Sequence, residues 1–173
     1  MDESDAASHA LIGQVYLVMR KYDEAIASGK RSVELLPNGA LVHMHLGSTL
    51  IFAGAVDEAI IHLRQAIRLN PFPEYYYYYH LGRCYMMKGQ YKDALAEGKK
   101  AVQLAPDAHI IHLFLAYNYA LLDREEEART SLAKTLQLEP TLSVAKISRL
   151  TLFKNQADIK FIIHTARKAG VPE

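Results

Sequence analysis

The sequence predicts an all-α fold of four stacked helix-turn-helix units closed at the C-terminal end by further helices, because three sets of markers recur in one register. Small residues return at Gly13, Gly47, Gly82 and Ala116, with separations of 34, 35 and 34. Ala25, Ala59, Ala94 and Ala128 repeat those separations, as do Pro37, Pro71, Pro106 and Pro140. A fixed period of about 20–50 residues is the signature of an architecture in which each unit buries its apolar face against its neighbours. The expectation is one continuous array over residues 1–173, with units at about 6–39, 40–73, 75–108 and 109–142 and capping helices at about 143–170.

Each unit reads as a first helix, a short break, a second helix and a proline that stops it, as in LGSTLIFAGAVDEAIIHLRQAIRLNP. Two helices whose axes lie about 8–10 Å apart need Gly or Ala where they cross, which accounts for the small residues. Gly29 and Gly98 lie inside second helices, where each costs about 1 kcal/mol against Ala. A neighbouring aromatic or Met side chain is expected to fill the space they leave.

The extra residue in the third unit falls at PFPE, where Pro73 presets the backbone for helix entry and Tyr75 opens the helix. Five consecutive tyrosines, Tyr75 to Tyr79, then point about 100° apart and cover every side of it. Tyr78, Leu81, Gly82 and Tyr85 form the face expected against the partner helix, while Tyr76, Tyr79, Arg83, Met86 and Met87 form another. Beyond Pro140, LSVAKISRLTLF reads as a helix and NQADIKFIIHTARKAG as the last one, with Asn155 as N-cap and Gly170 as C-terminal cap. Ile159, Ile162, Ile163 and Ala166 give that last helix an apolar stripe suited to capping the array.

Composition narrows the function. Half the residues are apolar, and twenty basic against nineteen acidic side chains leave a net charge of +1, so no overall field signals nucleic acid or an anionic membrane as a partner. The lone Cys84 cannot form an internal disulfide, and the acidic start MDESDAASHA lacks the regions of a signal peptide. No apolar run approaches the roughly 20 residues that span a bilayer, and a cytoplasmic setting is expected.

These units resemble the tetratricopeptide repeat, whose signature of a Leu-Gly pair, a Tyr, an Ala and a Pro is met by Ile12-Gly13, Tyr16, Ala25 and Pro37, and by Leu81-Gly82, Tyr85, Ala94 and Pro106. The second and fourth units match through Leu46-Gly47, Ala59 and Pro71, and through Leu115, Tyr119, Ala128 and Pro140. The family's usual Trp is replaced by His9, His43, Tyr78 and His112, and its Phe in the second helix by Gly29, Leu63, Gly98 and Leu132. The resemblance implies a right-handed α-α superhelix whose first helices line a concave groove. It places Leu41, Met44, Ser48, Ile51, Phe52, Tyr76, Tyr79, Arg83, Met86, Met87, Ile110, Leu113, Tyr117 and Leu121 in or beside that groove.

The first helices are apolar nearly all round, and exposed apolar surface of that extent marks a binding site unless superhelical stacking or the protein's own tail covers it. The expected role is a non-enzymatic interaction module, a scaffold or adaptor for a protein or peptide partner bearing apolar and aromatic groups, with one anionic group near Arg83. The alternatives are assembly into homo-oligomers through the same groove and binding of a small apolar ligand. Arg83 is the sole strong cation among the groove positions, which excludes the carboxylate clamp of chaperone-binding arrays. NPFP, LGRCYMMKGQYKDAL, DREEEAR and the tail LFKNQADIKFIIHTARKAGVPE further resemble the C-terminal arrays of bacterial multidomain adenylate/guanylate cyclases, implying a docking role in nucleotide signalling.

Chemistry is not signalled elsewhere. His109 and His112 are three apart on one helix, and His9 and His43 hold equivalent places, but Tyr78 interrupts the ladder and a metal needs three or four ligands within about 2.0–2.3 Å. Structural histidines and no metal are expected. Cys84 lacks an activating neighbour in the sequence and reads as a buried thiol. No phosphate-binding glycine loop, cofactor motif or catalytic set is present, so no catalytic residue is assigned.

Overall fold

Ten helices and no strand make up the described residues, 3–173, of the chain, whose structure is a computed structural model. They are α1 (Glu3–Val18), α2 (Tyr22–Leu35), α3 (Ala40–Ala53), α4 (Val56–Leu69), α5 (Tyr75–Met87), α6 (Tyr91–Leu104), α7 (His109–Leu121), α8 (Glu125–Leu138), α9 (Val144–Leu150) and α10 (Gln156–Lys168). The pairs α1/α2, α3/α4, α5/α6 and α7/α8 are the predicted helix-turn-helix units. The start of α5 at Tyr75 follows the PFPE turn as expected.

The helices group into two compact units. The first holds residues through Pro73 together with Leu152–Asn155, and the second holds Glu74–Thr151 and Gln156–Glu173. In unit 1, α1 packs on α2 and α3, and Ala6, Ala10 and Val42 form a buried cluster against Val33, Leu35 and Leu36. The Gln14 side-chain amide of α1 donates to the His45 carbonyl (3.2 Å) and to Thr49 Oγ1 (3.1 Å) of α3. In unit 2, α10 packs on α7 and α9, burying Ile162 and Ala166, and the Lys168 ammonium meets the Asp123 carboxylate at 2.8 Å.

Small residues sit where backbones meet. A Cβ on Gly13 would lie 3.1 Å from the Ala25 carbonyl oxygen, and one on Gly82 would lie 3.2 Å from that of Ala94 and 2.9 Å from the Phe114 ring. Gly98 is filled as expected by an aromatic, Phe114, with Leu115 beside it, but Gly29 is filled by Leu46, an aliphatic group, rather than by an aromatic or Met. Leu46 and Leu115 are equivalent positions, so the same insertion of a first-helix leucine into a second-helix glycine occurs in both units.

The tail differs from expectation at one point. LSVAKISRLTLF is not helical throughout: Ser143 caps α9 by accepting from the Lys146 N–H (3.1 Å), and the chain turns extended at Thr151 (φ −63°, ψ 137°). Phe153 instead belongs to unit 1, where it is 2% exposed. Burial of one phenyl side chain, about 1.5–3 kcal/mol, outweighs the one remaining helical turn. Gly170 closes α10 with φ +86°, and the Val171 N–H reaches back to the Ala166 carbonyl (3.0 Å), as a left-handed C-terminal cap requires.

Substitution of Gly82 by Ala presses a methyl group against a backbone oxygen and a ring that is itself buried, so a loss of about 1–3 kcal/mol is expected in urea unfolding. Gly29→Ala meets chiefly the mobile end of Leu46 at 2.9 Å and gains helix propensity, so its unfolding midpoint is expected to stay close to that of the parent.

Candidate functional site

The α5 sequence YYYYYHLGRCYMM sorts its side chains by direction. Tyr77, which sequence patterning left unassigned, is the buried tyrosine at 2% exposure, in the place held by Val42 (3%) and Ile111 (0%) in the neighbouring units. The repeat register is the signal that identifies it. Tyr76, Tyr79, Arg83 and Met87 recur along another face and are partly exposed. Tyr76 stacks on Tyr77 with ring centres 5.0 Å apart, Tyr79 meets Phe114 edge-on at 5.5 Å, and the Arg83 guanidinium lies 5.4 Å from the centre of the Tyr79 ring. Arg83 thereby gains cation–π attraction and holds the tyrosine in place.

The other expected groove positions divide. In unit 2, Ile110 and Leu121 are half-buried, while Met86, Leu113 and Tyr117 are buried. In unit 1, Leu41 is 49% exposed and Phe52 is half-buried, but Met44, Ser48 and Ile51 are buried. The buried six therefore present no open apolar surface, because first helices that are apolar all round are packed all round: nine of the fourteen residues of α3 are buried. Phe52 is covered by the protein's own tail, its ring centre 5.2 Å from that of Phe153.

Burial also sets the chemistry of these groups. It pushes the Cys84 thiol up to about 12, which leaves the sulfur unreactive in a fully buried site. Burial, with the Glu74 carboxylate as hydrogen-bond partner, raises the Tyr76 phenol to about 12. Tyr117 is raised further, again mainly by burial, and its hydroxyl is a buried donor without a partner among the described residues. Arg124, which precedes α8, and Glu127 in its first turn form an exposed ion pair, as expected of DREEEAR.

The histidines act as structural ties. His43 Nε2 donates to the Pro37 carbonyl (2.9 Å) and His112 Nε2 to that of Pro106 (2.7 Å), so the residue replacing the usual Trp reaches back to the proline that ended the preceding unit. With Nε2 donating, neutral His43 accepts at Nδ1 from His62 Nδ1, 2.9 Å away. At the longer PFPE turn Tyr78 takes this place and lies beneath the Lys100 ammonium, 5.5 Å from its ring centre. No group of three His, Cys, Asp or Glu converges among the described residues, and no helix there is long and apolar enough to cross a membrane.

A tetratricopeptide repeat family model matches residues 10–72 and 46–109. Over 138 residues the chain is 27% identical to human anaphase-promoting complex subunit 7, covering 79% of this chain and 24% of that protein. The chain thus spans about a quarter of the length of that curated relative. Among solved structures, the Cut9-Hcn1 hetero-tetramer of the anaphase-promoting complex superposes with a TM-score of 0.73 at 20% identity, over 79% of this chain and 27% of the other. YrrB, described as having an unusual peptide-binding site, superposes with a TM-score of 0.65 at 17% identity, over 97% of this chain and 86% of the other.

Burial lowers the pKa of His62, helped by the neighbouring His43, and burial alone lowers that of His45. The unfolded chain then binds more protons than the folded one below about pH 6.5, so stability is complete above that value and falls as pH drops. The melting temperature is expected to fall between about pH 7.5 and about pH 5.5, and to fall less in His62→Gln.

Proposed function

Because the chain belongs to the tetratricopeptide repeat family, we propose that it is a non-enzymatic interaction module whose partner-contacting surface in unit 2 is the aromatic face of α5. The observation that carries this reading is the stripe Tyr76, Tyr79, Arg83 and Met87, partly exposed along one face of α5, with the Arg83 guanidinium 5.4 Å from the centre of the Tyr79 ring. Tyrosine offers area with little conformational entropy to lose, Met adapts its shape, and Arg supplies a fork for a carboxylate. The partner is a peptide or helix with apolar and aromatic groups and one acidic group. The peptide-binding site in YrrB's description and the multi-subunit setting of the anaphase-promoting complex relatives support the same class of role. The resemblance to cyclase-linked arrays extends the proposal to docking in bacterial nucleotide signalling, and rests on the residue matches given above.

A second reading, self-association, is favoured by α1. Leu11, Ile12, Val15 and Val18 are 61, 44, 58 and 67% exposed, whereas the residues equivalent to Ile12 and Val15 in the second unit, Leu46 and Thr49, are 0 and 1% exposed. The first repeat therefore shows the face that later repeats bury, and contiguous apolar surface of this kind favours a second copy.

Peptides selected from a random display library against the full chain are expected to carry aromatic and acidic residues and to bind Tyr79→Ala with Arg83→Ala at least about tenfold more weakly, the loss of one hot-spot contact. Equal binding to the double variant would remove the α5 face from consideration. Sedimentation over a wide concentration range separates the second reading: a dimer that dissociates on Val15→Glu supports it, and a monomer throughout excludes it.

A further inference from the structure

The four residues Leu152–Asn155 belong to unit 1, although the helices on either side of them belong to unit 2. They lie, without helical structure, along the edge where α2 begins and α3 ends. Each residue has its own seat. Tyr22 Oη donates to the Leu152 carbonyl at 3.0 Å. The Phe153 ring is 2% exposed and tilted 56° against Phe52. The Lys154 N–H donates to the Phe52 carbonyl at 2.8 Å, while its ammonium stands 3.3 Å from the Asp23 carboxylate and 5.6 Å from the centre of the Tyr22 ring. The Asn155 side-chain amide rests on Gly54, where any Cβ would collide with it.

These contacts divide as they do between a receptor and a bound peptide. Two go to the segment's main chain, one donated and one accepted, and hold any sequence in register. Three read side chains: an aromatic seat, a cation seat with both charge and ring, and a seat open only because residue 54 is glycine. Generic covering of an apolar edge needs none of the last three. Phe52 is not an open groove position for this reason, since Phe153 already packs on it.

We propose that the α2–α3 edge of unit 1 is a peptide-recognition site for a non-helical segment with an aromatic residue followed by lysine, and that Leu152–Asn155 is its built-in occupant. A partner segment of that chemistry competes with the tail for Tyr22, Asp23, Phe52 and Gly54. The site is separate from the aromatic face of α5 and does not depend on the role given to it.

The probe is a labelled, end-blocked peptide TLFKNQ, residues 151–156, added to the full chain, with circular dichroism confirming that each variant is folded. Phe153→Ala empties the aromatic seat. Lys154→Glu weakens the built-in contact without leaving a cavity. The peptide is expected to bind at least about tenfold more tightly to these variants than to the parent, as removal of an intramolecular competitor requires. Adding Phe52→Ala abolishes that binding, and adding Asp23→Lys to Phe153→Ala transfers preference to the peptide carrying Glu in place of Lys. Absence of saturable binding to every folded variant at millimolar peptide overturns the proposal, as does binding indifferent to Phe52→Ala and Asp23→Lys.

Discussion

The helices α1 and α5 can lie as close to their partner helices as they do because no side chain stands between each of them and one carbonyl oxygen of the second helix. At Gly13 that oxygen belongs to Ala25 and at Gly82 to Ala94, and an added Cβ would approach within 3.1 and 3.2 Å. A backbone oxygen inside a helix cannot rotate aside as a side chain can, so the crossing point is set by absence of bulk. With the crossing pinned, the side chains one turn away have fixed destinations. Leu46 enters the gap at Gly29, and Leu115 with Phe114 enters the gap at Gly98. Packing of α3 on α2 and of α7 on α6 therefore follows from these gaps.

That closeness has a chemical consequence. The close packing of α3, α5 and α7 draws polar groups into the interior, where each needs a partner. Thr49 finds Gln14, and Asn118 donates to the Phe114 carbonyl at 2.8 Å. His43 bridges the Pro37 carbonyl and His62. Cys84 has become an inert thiol, and the Tyr117 hydroxyl is left without a partner among the described residues. The same packing buries Met44, Ile51, Met86 and Leu113, while Tyr76 and Tyr79 of α5 stay partly exposed.

The helix pairs were legible because each marker acts on residues within its own period. Proline stops a second helix wherever it stands, and glycine admits a close crossing wherever it recurs. The candidate site was legible only in part. Direction along α5 follows from 100° per residue, which separates Tyr76 and Tyr79 from the rest. Depth does not follow from it: Tyr77 is buried and Tyr79 partly exposed because of what stacks on each, and all five tyrosines look alike in sequence. Gly29 shows the same limit, since a gap of known size was filled by Leu46 where an aromatic was expected.

By itself the sequence determined the all-helical class, the number of helix pairs and the small residues on which their helices meet, since these are properties of one repeat. Tertiary structure alone decided which apolar positions stay open and where the tail lies. Leu152 receives its hydrogen bond from Tyr22, 130 residues away along the chain, and no local propensity acts across such a distance. LSVAKISRLTLF carries a helical pattern to its end, yet the last three residues leave the helix because the seat for Phe153 is in unit 1. Burial is a property of the neighbour, and the neighbour is known only once the chain has folded.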